Sequence, residues 1–98
     1  MIYKIYSVFD SKVGSYLSPF FMRSKGEAIR ALQGELTNEQ SNICKYPSDF
    51  TLFEIGEYDD SKGMISPITP LSVGAAVEFL EDVSRIPVDP KFDAESRN

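Results

Sequence analysis

The chain has 98 residues, 42% apolar and 26% charged, with a formal net charge of −5. This is globular composition and one domain's worth of chain, too little for two independent cores. A bilayer-spanning helix needs about 20 consecutive apolar residues, and the longest apolar stretch, residues 73–80, is interrupted by Gly74 and Glu78.

Residues 2–9 are aromatic and β-branched and read as a first strand rather than a signal peptide. Residues 10–14 carry turn chemistry, because Asp10 can bond its own backbone and Gly14 accepts positive φ. A second strand is expected over 15–22, with Pro19 marking an edge position or a bulge. Ser24-x-x-Glu27 is a capping-box pattern, and Ala28, Ile29, Leu32 and Leu36 follow at helical spacing. Gly34 weakens the last turns of this helix, and 37–49 reads as a polar connection. Cys44, the only cysteine, excludes an internal disulfide and reads as a small, partly buried apolar residue; a lone thiol fits the reducing cytoplasm.

A third strand is expected over 50–58, a tight turn over 59–63 and a short fourth strand over 64–68. Thr69-Pro70 then reads as the N-cap and first position of a second helix, with Val73, Ala76, Val77, Leu80 and Val83 on its apolar face. Ile86-Pro87 stops it, leaving residues 86–98 as a mobile tail beyond a single domain, 1–85. The order ββα–ββα is echoed in sequence: Asp10-Ser-Lys recurs as Asp60-Ser-Lys, and Gly26-x-Ala-Ile-x-x-Leu as Gly74-x-Ala-Val-x-x-Leu. The expected fold is α+β: two ββα units forming a four-stranded antiparallel sheet with two helices on one face.

Nothing in the chain points to catalysis. Histidine is absent, removing the usual neutral-pH base and the commonest metal ligand. One cysteine cannot make a zinc half-site, and neither GxxxxGK[ST] nor GxGxxG occurs. Asp59-Asp60 sits in a hairpin turn without the further carboxylates that calcium requires. The expectation is therefore a non-catalytic protein with no metal, cofactor or small-molecule substrate, and with no membrane partner.

The informative feature is aromatic excess on strands: Tyr3, Tyr6, Phe9, Tyr16, Phe20 and Phe21 crowd the first hairpin. By strict alternation, Tyr3, Ile5 and Phe9 share one face of the first strand and Lys4, Tyr6 and Val8 the other. On the third strand, Phe50, Leu52 and Tyr58 share one face, and Phe53 and Ile55 the other. Two helices cover only one face, so the second belongs to another subunit or to a ligand. Rings interleaved with cations suit single-stranded DNA, where bases stack and phosphates meet Lys or Arg. Residues 1–46 carry six basic and four acidic side chains, and 47–98 four and eleven, so the basic half is the aromatic one. The expected nucleic-acid-binding residues are Lys4, Tyr6, Lys12, Tyr16, Arg23, Lys25 and Arg30, in a homo-oligomer of two or more copies. The alternative is a protein-interaction or assembly factor whose second sheet face binds protein.

Four segments, 5–12 (IYSVFDSK), 19–22 (PFFM), 25–31 (KGEAIRA) and 46–59 (YPSDFTLFEIGEYD), together resemble the small non-structural protein of gokushoviruses and related microviruses, phages with circular single-stranded DNA genomes. The resemblance spans residues 2–80 and leaves out the tail. It implies a DNA-binding protein of the host cytoplasm that coats viral single strands during genome synthesis or hands them over to packaging. The acidic balance favours replication over a packaged, DNA-condensing role.

Overall fold

A computed structural model of the chain describes residues 1–80. The sheet is built around β1 (Ile2–Asp10), whose neighbours are both antiparallel. On one side lie two short strands, β2 (Ser15–Tyr16) and β3 (Phe20–Met22); on the other lies β4 (Phe50–Asp59). The far side of β4 pairs with β5 (Met64–Ala75), which forms the outer edge. The second expected strand is thus two strands, with Pro19 in the break. Having no amide hydrogen, Pro19 is tolerated there because no further strand lies beyond it. The Leu17 amide still donates to the Val8 carbonyl at 2.8 Å.

One face of this sheet is covered. In α1 (Lys25–Leu36) the buried residues Ala28, Leu32 and Leu36 recur every four positions and so form one stripe. Ser24 caps the helix, its Oγ accepting from the Glu27 amide at 3.3 Å. The Glu27 carboxylate accepts from the Arg23 amide at 2.8 Å, one residue earlier than in an ordinary capping box. The α1 stripe packs on Tyr6, Val8, Phe50 and Leu52 of the sheet, joined by Ile43, Ala76 and Phe79.

The segment 37–49 is more structured than its polarity suggests. It holds a short helix, α2 (Asn42–Lys45), capped by Ser41, and a 3-10 turn, Pro47–Asp49. Ile43 anchors it in the core, and Cys44 is a free, half-buried thiol.

In the second half the last strand is longer than expected. β5 is twelve residues long, so 69–75 are strand rather than the start of a helix. Leu71, Ser72, Gly74 and Ala75 pair with Glu54, Phe53, Leu52 and Thr51. Had the chain turned helical at Pro70, that length of β4 would have lost its outer partner and its ladder hydrogen bonds. Among the described residues the chain turns at Ala76–Phe79, as a 3-10 segment, and Leu80 after it is helical. Gly74 makes the change of direction possible: its φ is +157°, and a Cβ there would lie 2.9 Å from the Phe79 ring. The fold is therefore α+β with an antiparallel sheet, and in its second half the last strand runs through Ala75, past the expected start of the helix. The end of the expected second helix and the tail from residue 86 lie outside the described residues.

Register also departs from simple alternation. Between Ile5 and Tyr6 the partner in β4 shifts from Gly56 to Glu54, leaving Ile55 as the extra residue of a bulge. An inserted residue inverts the faces beyond it. Tyr58, expected to share a face with Phe50 and Leu52, instead lies opposite Tyr3 and on the face of Phe53. Gly56 is buried at this bulge, and a Cβ on it would stand 2.8 Å from the Ser66 carbonyl oxygen of β5.

Candidate nucleic-acid interface

The face of the sheet turned away from α1 is aromatic, and among the described residues no helix covers it. Register places Tyr3, Ile5, Ser7 and Phe9 of β1 on it, beside Tyr16, Phe21, Thr51, Phe53, Gly56 and Tyr58. None of these is charged. The rings form two groups. At one end Tyr16 lies 4.9 Å from Phe9 and 5.6 Å from Phe53 between ring centroids. At the other, Tyr58 lies 5.6 Å from Phe21, edge to face, and 6.3 Å from Tyr3. Between the groups, Ile5 and Ser7 are buried, and the Ser7 hydroxyl donates to the Leu17 carbonyl at 2.6 Å. Tyr16 and Phe21 are each 44% exposed, which leaves open ring surface at both ends. Edge-to-face neighbours hold such rings in fixed orientations, so a planar ligand meets a preformed surface.

The residues expected to bind nucleic acid do not come together as one patch. Tyr16 is on the platform. Lys12, in the β1–β2 turn, stands at the Phe9–Tyr16 end, and Arg23, two residues past Phe21, stands at the other; both are exposed. Tyr6 is corrected to a core residue: it is fully buried under α1, 6.0 Å from Phe20, and offers no ring face to a ligand. Burial, followed by the neighbouring Glu54, raises the pKa of its phenol, whose oxygen has no hydrogen-bond partner. Lys4 lies on the same side as Tyr6, and its ammonium is 2.9 Å from the Glu57 carboxylate and 3.5 Å from Glu54. Donation to Glu57, then attraction to Glu54, raises its pKa, so the charge is already matched by two carboxylates. Lys25 and Arg30 are exposed on α1, across the sheet from the rings.

Strand alternation alone did not single out Phe9, Phe21, Phe53 and Tyr58 as one surface. The available signal was that Tyr3 and Phe9 share a parity opposite to Tyr6 and Val8. Their union with Tyr58 required the bulge.

Asp59 and Asp60 serve the turn. An Asp59 oxygen accepts from the Ser61 hydroxyl at 2.6 Å and the Ser61 amide at 3.0 Å, and these bonds lower its pKa. Among the described residues no group of three or more Cys, Asp or Glu side chains is placed to hold a metal ion, and no helix is long and apolar enough to cross a membrane.

These features define a small α+β protein with one face packed under a helix and the other presented as an aromatic surface. The family model described as Phage ORF5 protein matches residues 3–79, and the chain belongs to that family of small phage proteins. No curated protein and no solved structure is significantly similar to it.

Proposed function

We propose that this phage protein is a non-catalytic binder of single-stranded DNA, with the aromatic sheet face as its platform. The observation that carries the reading is the pair of ring groups on the face that no helix of the described residues covers, with Tyr16 and Phe21 each 44% exposed. Bases stack on rings whatever their identity, and Lys12 and Arg23 stand at the two ends for phosphates. Lys4 and Tyr6 leave the proposed contact set, and Lys25 and Arg30 contribute only to the general field. The resemblance to gokushovirus and microvirus proteins supports a role in the host cytoplasm, in single-strand genome synthesis or hand-over to packaging.

Fluorescence-anisotropy titrations with single-stranded and duplex DNA of equal length, at two salt concentrations, test this. Tighter single-strand binding, with little dependence on base sequence, is the expected result. Equal or tighter duplex binding contradicts the stacking platform. The absence of charge on the face favours the second reading, a protein partner, and lack of any DNA binding in these titrations selects it.

We also propose a homodimer, formed through β5. Among the described residues the strand is an outer edge; it carries no charged residue and exposes Met64, Ile65 and Leu71 by 57%, 60% and 60%. Uncharged apolar edges are surfaces that monomers ordinarily protect. Pro67 and Pro70 interrupt the strand's row of amides, so the association rests on side chains more than on a continued ladder. Light scattering at micromolar concentration is expected to give the dimer mass; a monomer mass alone overturns the proposal.

A further inference from the structure

We propose that the cleft between the β1–β2 turn and the α2 segment is a second, distinct contact for one nucleotide of the same single strand, with Tyr46 as the stacking ring and Lys12 and Lys45 as the phosphate ligands. The proposal rests on the DNA-binding reading and extends it.

The cleft is shallow and open to solvent, spans about 670 Å³, and is lined by Lys12, Lys45, Tyr46, Asp10 and Asp49 among others. Its two walls come from segments far apart in the chain, yet they are tied together. The Ser11 amide and hydroxyl both donate to the Asp49 carbonyl, at 2.9 and 3.1 Å. These bonds hold the turn carrying Lys12 against the segment carrying Lys45 and Tyr46.

Tyr46 is 58% exposed, but its backbone is held on both sides. Its amide donates to the Asn42 carbonyl at 2.8 Å, and its carbonyl accepts from the Asp49 amide at 3.0 Å. Pro47 further restricts the chain there. With the backbone fixed, only the two side-chain torsions of the ring remain to be ordered when a base stacks on it, which lowers the entropic cost of binding.

Two lysines and two aspartates line the cleft, and the lysines are free to meet a phosphate. Among the described residues neither Lys12 nor Lys45 forms an ion pair, in contrast to Lys4 with its two carboxylates. Asp10 turns inward on its own loop, its Oδ1 accepting from the Lys12 and Val13 amides at 2.9 and 3.4 Å. Asp49 is half-buried, and it and Asp10 are the two acids that line the cleft beside its two lysines. The cleft adjoins the platform through Asp10, which directly follows Phe9 of the Phe9–Tyr16–Phe53 group. A strand leaving that group passes round the end of the sheet into the cleft.

The test uses the full chain with fluorescein-labelled thymidine oligonucleotides and three variants: Tyr46→Ala, Lys45→Ala and, as a charge-matched control across the sheet, Lys25→Ala. Circular dichroism establishes that each is folded. Tyr46→Ala is expected to weaken binding about 5- to 150-fold with the salt dependence unchanged, as for loss of one base stack. Lys45→Ala is expected to reduce the slope of log affinity against log salt by about 0.7, the value for one single-strand phosphate contact, whereas Lys25→Ala leaves it in place. If the folded Tyr46→Ala and Lys45→Ala variants bind as wild type while Tyr16→Ala is weakened, the cleft proposal fails and the platform stands. If the wild-type chain binds no oligonucleotide, both fall together.

Discussion

Replacing Tyr16 and Phe21 together by alanine is expected to weaken single-stranded DNA binding by about 2–6 kcal/mol, taking about 1–3 kcal/mol for each lost base stack. The two rings belong to different groups, Tyr16 opposite Phe9 and Phe21 opposite Ile5. Four residues of strand separate these positions, about 13 Å at 3.3 Å per residue, so the two losses should add. Both rings are 44% exposed and lie outside the main core, which keeps the cost to the fold small beside the cost to binding. Salt dependence is the second readout: stacking releases no counterions, so affinity should fall equally at low and high salt. A folded double variant with wild-type affinity would exclude the sheet face as the DNA surface. Tyr6 offers no comparable test, because truncating a fully buried ring in the core removes packing before it reports on any ligand.

Gly56→Ala is expected to destabilise the protein by about 1–3 kcal/mol, the usual cost of inserting atoms into a packed site. The collision is with the Ser66 carbonyl oxygen, at 2.8 Å, and with the Pro67 Cα at 3.4 Å. Both are backbone of the adjacent strand, so no rotamer change relieves it; β5 must move away from β4 at that point. The Ile5 Cδ1, at 3.5 Å, is in ordinary contact and contributes little. Because β5 carries the surface proposed for the dimer, the same variant should also weaken association. Urea denaturation followed by circular dichroism reads the first effect and light scattering the second. An unchanged denaturation midpoint would mean that the two strands do not approach closely at Gly56.

Much of the first half of the fold was legible because its signals are local. Aromatic and β-branched residues made β1, Asp10 and Gly14 made the turn, and Ser24 with Glu27 and the Ala28–Leu32–Leu36 spacing made α1. Absence of histidine and of phosphate-loop motifs favours binding over catalysis, and the crowding of rings on strands suits stacking. Tertiary structure decided the rest. Residues 69–75 have a helix-like start at Thr69-Pro70, and the helix-like apolar spacing begins within them, at Val73. Their state is nevertheless set by β4, which needs a partner along its whole length, and such long-range pairing leaves no mark in a local pattern. The bulge at Ile55 is similar: one extra residue, compatible with Gly56 beside it, moves Tyr58 onto the face of Tyr3 and Phe53. The covered face was equally undetermined until α1 packed, and that choice buried Tyr6 and left Phe9, Tyr16 and Phe21 outside. Lys45 and Tyr46 stood in what read as a polar connection. Only the docking of Ile43 and the bonds from Ser11 to Asp49 bring them opposite Lys12. Residue types and spacings along the chain determined which elements form and what chemistry is available. Which side chains share a surface depended on pairing between distant segments, because register and packing are properties of two chains meeting rather than of either alone.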